Sequence, residues 1–365
     1  MPHQYAYLPH LGTTDAILQL LDDCTMDLDK ATGKYVQLAC LDFPKAFDRM
    51  QPSTVIRKIV SLGVNQHVVN LLQDFLMHRT QRVRVNNHLS DSTDMPVGAP
   101  QGTKLGPILW LFYVNDLKAD GFNVVKYADD TTFYRPVKDP QSDTVAPAIW
   151  QTELWASDNS MLLNTEKTVI MNISLNRRTE YREPVALDNN TIMPSDYIKF
   201  LGVHIDKHLS FTTNVDRITS KASSRIYLLR QLRILGMDTK GLRTFYCANI
   251  RSVLTYAAPA WYFLLSKQDQ DRLEKVQRYA TRIILPDCDY AQRLEVLALP
   301  TLCVFIETKG RNLFSKIVSD KTHPLHTRVR LNTNRTSSRK PAKFYAPQAR
   351  TAKRAASFFA YFTPH

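Results

Sequence analysis

The sequence predicts an α+β chain, with strands and helices mixed up to about residue 206 and helices alone beyond it. Three observations predict it. Short runs rich in β-formers recur in the first half, at Val36 to Leu41, Phe122 to Tyr127, Thr131 to Tyr134, Val169 to Ile173 and Tyr197 to Ile205. Segments with helical apolar spacing separate them. After Asp206 the strand signals fade, and Val215 to Leu235, Thr239 to Leu254 and Asp269 to Ile284 all read as helices. With 365 residues, 44% of them hydrophobic and few glycines, the chain can bury a large core and is expected to form two domains.

Thr14 to Asp27 opens the chain as an amphipathic helix carrying Ile17, Leu18, Leu20 and Leu21 on one side. Pro52 to Leu62 reads as a short helix stopped at Gly63, and Val68 to Met77 as another. Arg82 to Val85 alternates basic and apolar ahead of Asn86-Asn87, which predicts a hairpin with its arginines outward. Gly98 to Pro107 is turn-rich and feeds a helix from Pro107 to Asp120, with proline in the first turn. Ala146 to Met161 is predicted helical as well.

Tyr127-Ala128-Asp129-Asp130 places two adjacent acids at the tip of a predicted hairpin. Alone, such a pair reads as a solvated turn. Upstream, however, an apolar strand ends in Asp42. If that strand pairs beside the hairpin, Asp42, Asp129 and Asp130 converge, and three close carboxylates cannot all stay ionised without positive charge. Hard oxygen ligands with room for phosphates describe a Mg²⁺ site. Two such ions can activate a hydroxyl and stabilise a leaving pyrophosphate, which is nucleotidyl transfer. Between these elements, glycines such as Gly98 and Gly102 let a backbone approach a nucleotide closely, and Gln101 can hydrogen-bond in two directions.

Leu41-Asp42-Phe43-Pro44-Lys45-Ala46-Phe47-Asp48, Gly98-Ala99-Pro100-Gln101-Gly102 and Tyr127-Ala128-Asp129-Asp130, in this order, resemble motifs A, B and C of reverse transcriptases. The version is that of non-LTR retrotransposons of the Jockey-like and chicken-repeat-like kind. Leu163 to Thr168 resembles motif D, and Phe200 to Asp206 resembles the primer-grip motif E. The likeness begins at Gln4 and runs nearly to the end. It implies an excerpt cut at both ends, without the fingertip strands and endonuclease domain that such elements place upstream.

The resemblance implies a right-hand polymerase palm, an antiparallel sheet with helices and partial fingers, over residues 1–206. A helical thumb and connector follow over 207–320, and a basic tail over 321–365. It implies an RNA-directed DNA polymerase joining dNTPs to a DNA primer along an RNA template, with two Mg²⁺ ions. Asp42, Asp129 and Asp130 would be catalytic and hold the metals, and the backbone from Phe43 would hold the triphosphate. Phe47 would exclude a ribose 2′-hydroxyl, Gln101 with Gly102 would position template base and sugar, and Lys167 would be the general acid for pyrophosphate. Pro44 stands where the family usually has Ser, which removes an amide donor where triphosphate contacts are expected. Thr103-Lys104 is a milder departure. A catalytically silent nucleic-acid-binding remnant is the alternative, and an intron maturase a third reading whose extra basic domain is missing from the sequence.

The net charge is +13, yet ten Lys or Arg and no acid lie between Lys321 and His365, which leaves +3 for the first 320 residues. That end, rich in Ser, Thr, Asn and Pro, has a composition compatible with disorder. It reads equally as a phosphate-binding arm or a solubilising end. No apolar run long enough to span a membrane and no signal peptide is present, so a nuclear or cytoplasmic, non-secreted protein without a membrane partner is expected. Five scattered cysteines without CxxC spacing argue against disulfides and zinc. The sequence names no protein partner.

Overall fold

The computed structural model of the chain describes residues 3–30, 33–139, 143–178, 180–187, 190–329, 344–345 and 347–363. At its centre is a four-stranded antiparallel sheet built from β1 (Tyr35–Leu41), β2 (Asn123–Tyr127), β3 (Asp130–Val137) and β4 (Val169–Ile173), in the order β2-β3-β1-β4. β1 pairs with β3 from Tyr35 opposite Val137 to Leu41 opposite Thr131, so the expected pairing of the first strand beside the hairpin holds. Residues around Gln4 add a parallel bridge to β2 at Lys126.

Both faces of the sheet are covered by apolar cores. Val36, Leu38, Tyr134, Met171 and Ile173 point into one core. Ala39, Leu41, Phe133 and Ile170 point into the other. The second core is closed by α2 (Pro52–Ser61), α3 (Gln66–Leu76), α4 (Leu105–Tyr113) and α5 (Ala146–Asp158). The first is closed by α1 (Thr13–Asp29) and runs on without a break into the helices beyond residue 206.

Those helices include α6 (Thr212–Ile234), α7 (Lys267–Ile284) and α8 (Leu302–Ser319). They follow a hairpin of β5 (Tyr197–Phe200) and β6 (Val203–Asp206) turned at Leu201-Gly202. The helix expected over Thr239 to Leu254 forms, with a π-helical stretch from Tyr246 to Arg251 inside it. The hairpin expected around Asn86-Asn87 also forms, Arg84 pairing with Leu89, and it is exposed.

Two expectations are corrected. The helix read as Pro107 to Asp120 ends at Tyr113, because the buried Lys126 Nζ binds the carbonyls of Val114 and Leu117 at 3.0 and 3.1 Å and turns the chain there. The larger correction concerns 321–365. Where this segment is described it is folded: Arg354, Phe358, Phe359 and Phe362 are each no more than 6% exposed. The last helix, α9 (Phe358–Phe362), packs against α8. The reason is charge complementarity with α1. Arg354 pairs with Asp22, Arg328 with Asp22 and Asp23, His323 lies 3.2 Å from Asp15, and Asp29 accepts the Arg350 and Thr351 amides. Residues 330–343, which carry five of the ten basic residues, lie outside the described residues.

Among the described residues no helix is long and apolar enough to cross a membrane. The five cysteines are free thiols.

Candidate active site

The hairpin turn sets the site. Tyr127 pairs with Asp130, so Ala128 and Asp129 are the two central turn residues, and Ala128 has φ 57°. A two-residue hairpin needs such a left-handed residue to match strand twist, a place usually taken by glycine. On the neighbouring strand, Leu41 is opposite Thr131, which puts Asp42 beside Asp130 just past the sheet edge.

The electrostatics report the crowding. Asp130 is pushed up to about 6, first by desolvation, then by the negative charges of Asp129 and Asp42. Its residue surface is exposed, so the shift reflects the packing around the carboxyl rather than burial of the whole side chain. Asp129 is also raised, by desolvation and by Asp42, against a lowering hydrogen bond from its own amide.

Asp42 Oδ2 is shielded from water and has no hydrogen-bond donor among the described residues. Lys167 Nζ stands 3.3 Å from it, within ion-pair reach but outside hydrogen-bond geometry. The turn that carries Lys167 docks on the same strand end, with the Asn164 amide donating to the Asp42 carbonyl at 3.0 Å. Lys167 is thus brought to the acidic site with its side chain exposed.

The other expected residues divide. Phe47 is half-buried, with its ring 5.3 Å from Trp110 and edge-on to Tyr7 at 6.4 Å. Phe43 is 2% exposed and packs edge-on to Trp155, so its side chain belongs to the core and only its backbone can meet a substrate. Gln101 is exposed, and its Nε2 donates to Asp48 Oδ1 at 2.7 Å rather than reaching into open space. Gly102 sits at φ 78° with nothing within 4 Å of where a Cβ would be, so it serves the turn, not a close contact. Gly98 is different: at φ 82°, a Cβ there would lie 2.9 Å from the Asp48 carbonyl. Gly98 and Ala99 amides donate to Met50 and Phe47 carbonyls, which ties this loop to the segment after Asp42. Thr103 Oγ1 accepts from the Gly106 amide at 3.2 Å and caps the helix, so that departure from the family pattern is structurally absorbed.

Among the described residues no group of three or more His, Cys, Asp or Glu side chains is arranged to hold a metal ion. The donor chemistry of the three carboxylates nevertheless fits a divalent cation, since a shielded oxygen without a donor and a raised neighbouring carboxyl are both relieved by positive charge.

Sequence reasoning missed Gln4, Trp110 and Lys126. Gln4 is 2% exposed, and its Oε1 accepts from the Ala128 amide at 3.1 Å. Trp110 Nε1 donates to the Ala128 carbonyl at 2.7 Å. Nothing in the local pattern marks these residues, because their partners are backbone groups outside their own elements.

Beyond the sheet, a groove of about 1080 Å³ runs between the β5-β6 hairpin and α6, lined by Lys199, His204, Arg217, Lys221, Arg225 and Tyr256 among others. Some of the basic residues of the bundle are engaged internally: Arg225 and Arg233 donate to the carbonyls of Asn249 and Ile283, and Arg230 lies over the Tyr279 ring.

Residues 2–205 match the family described as reverse transcriptase (RNA-dependent DNA polymerase). The probable RNA-directed DNA polymerase from transposon BS of Drosophila melanogaster is 24% identical over 304 residues, covering 80% of this chain and 33% of that protein. The RNA-directed DNA polymerase from mobile element jockey of Drosophila melanogaster is 26% identical over 204 residues, or 53% of this chain and 22% of that protein. The chain therefore spans a third or less of the length of these relatives. Among solved structures, apo telomerase from Candida Tropicalis aligns with a TM-score of 0.45 at 14% identity, over 80% of this chain and 48% of that one, a likeness too distant to bear on mechanism. With the family match covering more than half of its length, the chain belongs to the reverse transcriptases, and its relatives place it among those of non-LTR retrotransposons.

Proposed function

We propose that the chain carries the polymerising centre of a non-LTR reverse transcriptase, which joins deoxynucleotides to a DNA primer 3′-hydroxyl on an RNA template. The observation that carries this reading is the meeting of Asp42 with the Asp129-Asp130 turn at one sheet edge, with a shielded, donor-less Asp42 oxygen and a raised Asp130. Asp42 and Asp129 would hold two Mg²⁺ ions, with Asp130 supporting. When bound, the ions would lower the pKa of the attacking hydroxyl and neutralise charge on the leaving pyrophosphate.

The chain's own residues would do the rest. Lys167, exposed and within reach of Asp42, would deliver a proton to the pyrophosphate oxygen as it leaves. Phe47, backed by Trp110, would present its ring edge to the sugar and exclude a 2′-hydroxyl. Gln101 would exchange its bond to Asp48 for the template base or sugar, and the Phe43 backbone would meet the triphosphate. The groove between the β5-β6 hairpin and α6 would take the sugar–phosphate backbone of the primer and template through Lys199, Arg217 and Lys221.

Primer extension on poly(rA)/oligo(dT) with Mg²⁺ tests the reading. Extension by the wild-type chain that is lost in Asp129→Asn is expected. A folded wild-type chain that binds the duplex and does not extend it would leave a silent nucleic-acid-binding remnant.

A further inference from the structure

The acidic turn is held from outside the hairpin. Ala128 occupies a left-handed conformation that costs a non-glycine residue on the order of 1–2 kcal/mol, so a bare Tyr127-Ala128-Asp129-Asp130 turn has reason to relax. Both polar groups of Ala128 are captured by side chains. Gln4 Oε1 accepts its amide at 3.1 Å, and Trp110 Nε1 donates to its carbonyl at 2.7 Å, with Gln4 Nε2 at 3.4 Å from the same oxygen.

Gln4 is itself fixed. Its Oε1 also accepts the Tyr5 and Ala6 amides at 3.1 and 3.0 Å. Its segment is laced to the hairpin by the Tyr5 amide to the Lys126 carbonyl and the Lys126 amide to the His3 carbonyl, at 3.0 and 2.8 Å. The Lys126 side chain, 2% exposed, is anchored in turn on the carbonyls of Val114 and Leu117 just past α4, the helix that carries Trp110. The two anchors of the turn thus come from different elements and are cross-braced through β2.

We propose that Gln4 and Trp110 are positioning residues that clamp the Ala128 peptide and thereby set the direction of Asp129 and Asp130 for a divalent cation. The inference rests on the polymerase reading above and deepens it. Neither residue touches a substrate or a metal; each acts through one backbone unit, in the manner of outer-shell partners that orient ligating groups. Trp110 also backs the Phe47 ring, so the indole couples the turn to the wall of the nucleotide site.

Mn²⁺ binding, followed by electron paramagnetic resonance of the free ion, tests the clamp without any need for turnover. The proteins are the wild-type chain, Gln4→Ala, Trp110→Phe and Asp129→Asn, each checked for fold by circular dichroism. Gln4→Ala and Trp110→Phe are expected to weaken Mn²⁺ binding by about tenfold, the low end of the effect of outer-shell partners. Trp110→Phe keeps a ring against Phe47 and Tyr113 while removing the indole donor and part of the ring volume, so it carries the test, with fold checked, if Gln4→Ala does not fold. Folded variants that bind Mn²⁺ within twofold of wild type would overturn the clamp alone. A wild-type chain that binds no better than Asp129→Asn would overturn the polymerase reading, and the clamp with it.

Discussion

Replacing Arg354 by alanine should cost the protein about 3 kcal/mol, although its position in a basic, polar terminal segment suggests a neutral change. Arg354 is 6% exposed, and its guanidinium is hydrogen-bonded to the Asp22 carboxylate, with Thr25 Oγ1 and Ser357 Oγ at 3.3 and 3.4 Å. Asp22 is 3% exposed, so removing the partner leaves a buried carboxylate. Breaking a buried pair from one side costs roughly 3–5 kcal/mol, and the low end applies because Arg328 remains 3.3 Å from Asp22. For a chain of this size that corresponds to a Tm lower by roughly 4 °C. Desolvation already raises Asp22, while Arg354 and then Arg328 oppose the rise. Without Arg354 the carboxyl rises further, and a raised acid favours the folded state only where it is protonated. The deficit should therefore shrink as pH is lowered into the range where that carboxyl protonates. Thermal unfolding of wild type, Arg354→Ala and Arg350→Ala across a series of pH values is the assay. Arg350 is exposed and should stay within about 0.5 kcal/mol. An Arg354→Ala chain equally close to wild type would refute the clasp between this segment and α1.

Three further outcomes are expected. Lys167→Ala should lower primer extension by about 10²- to 10⁴-fold, as loss of a general acid does, with little change in melting temperature because the side chain is exposed; single-turnover extension measures it. Phe47→Ala should raise ribonucleotide incorporation relative to deoxynucleotide, and unchanged selectivity with a loss of roughly 3–5 kcal/mol of stability would assign the ring to packing alone. Asp130, raised to about 6, contributes stability that is fully present below its unfolded value near 4 and lost as pH rises through about 6. Without added metal, the wild-type chain should thus gain stability relative to Asp130→Asn on going from pH 7.5 to 5, read by denaturant titration.

What the sequence disclosed was local. The runs that became β1, β2, β3 and β4 are each a few residues of β-formers, and a carboxylate following such a run must lie at a sheet edge, so Asp42 and the Asp129-Asp130 turn could be placed before any contact was known. Lys167 came from the resemblance of Leu163 to Thr168 to motif D, since a lysine at a strand start otherwise reads as surface; its side chain is exposed, 3.3 Å from Asp42. The end of α4 was not legible: the residue that stops it, Lys126, is a buried cation whose partners are carbonyls, and carbonyls leave no mark on a sequence. Gln4 and Trp110 were missed for the same reason, since each acts on the backbone of Ala128. The C-terminal arginines misled because charge counted along a segment ignores what faces it. The acids that neutralise Arg328 and Arg354 are Asp22 and Asp23 of α1, some 300 residues upstream. Phe358, Phe359 and Phe362 were the better signal, for three phenylalanines within five residues seldom stay in water.

The central claim is that Asp42 and the Asp129-Asp130 turn together form a metal-dependent polymerising centre. Anomalous diffraction from crystals of the chain with an RNA–DNA duplex, dTTP and Mn²⁺ tests it most directly. The account predicts manganese peaks between Asp42 and Asp129, with the triphosphate on the same ions and Lys167 facing it. Primer extension in the same crystals with manganese bound elsewhere, and none at these three carboxylates, would contradict it.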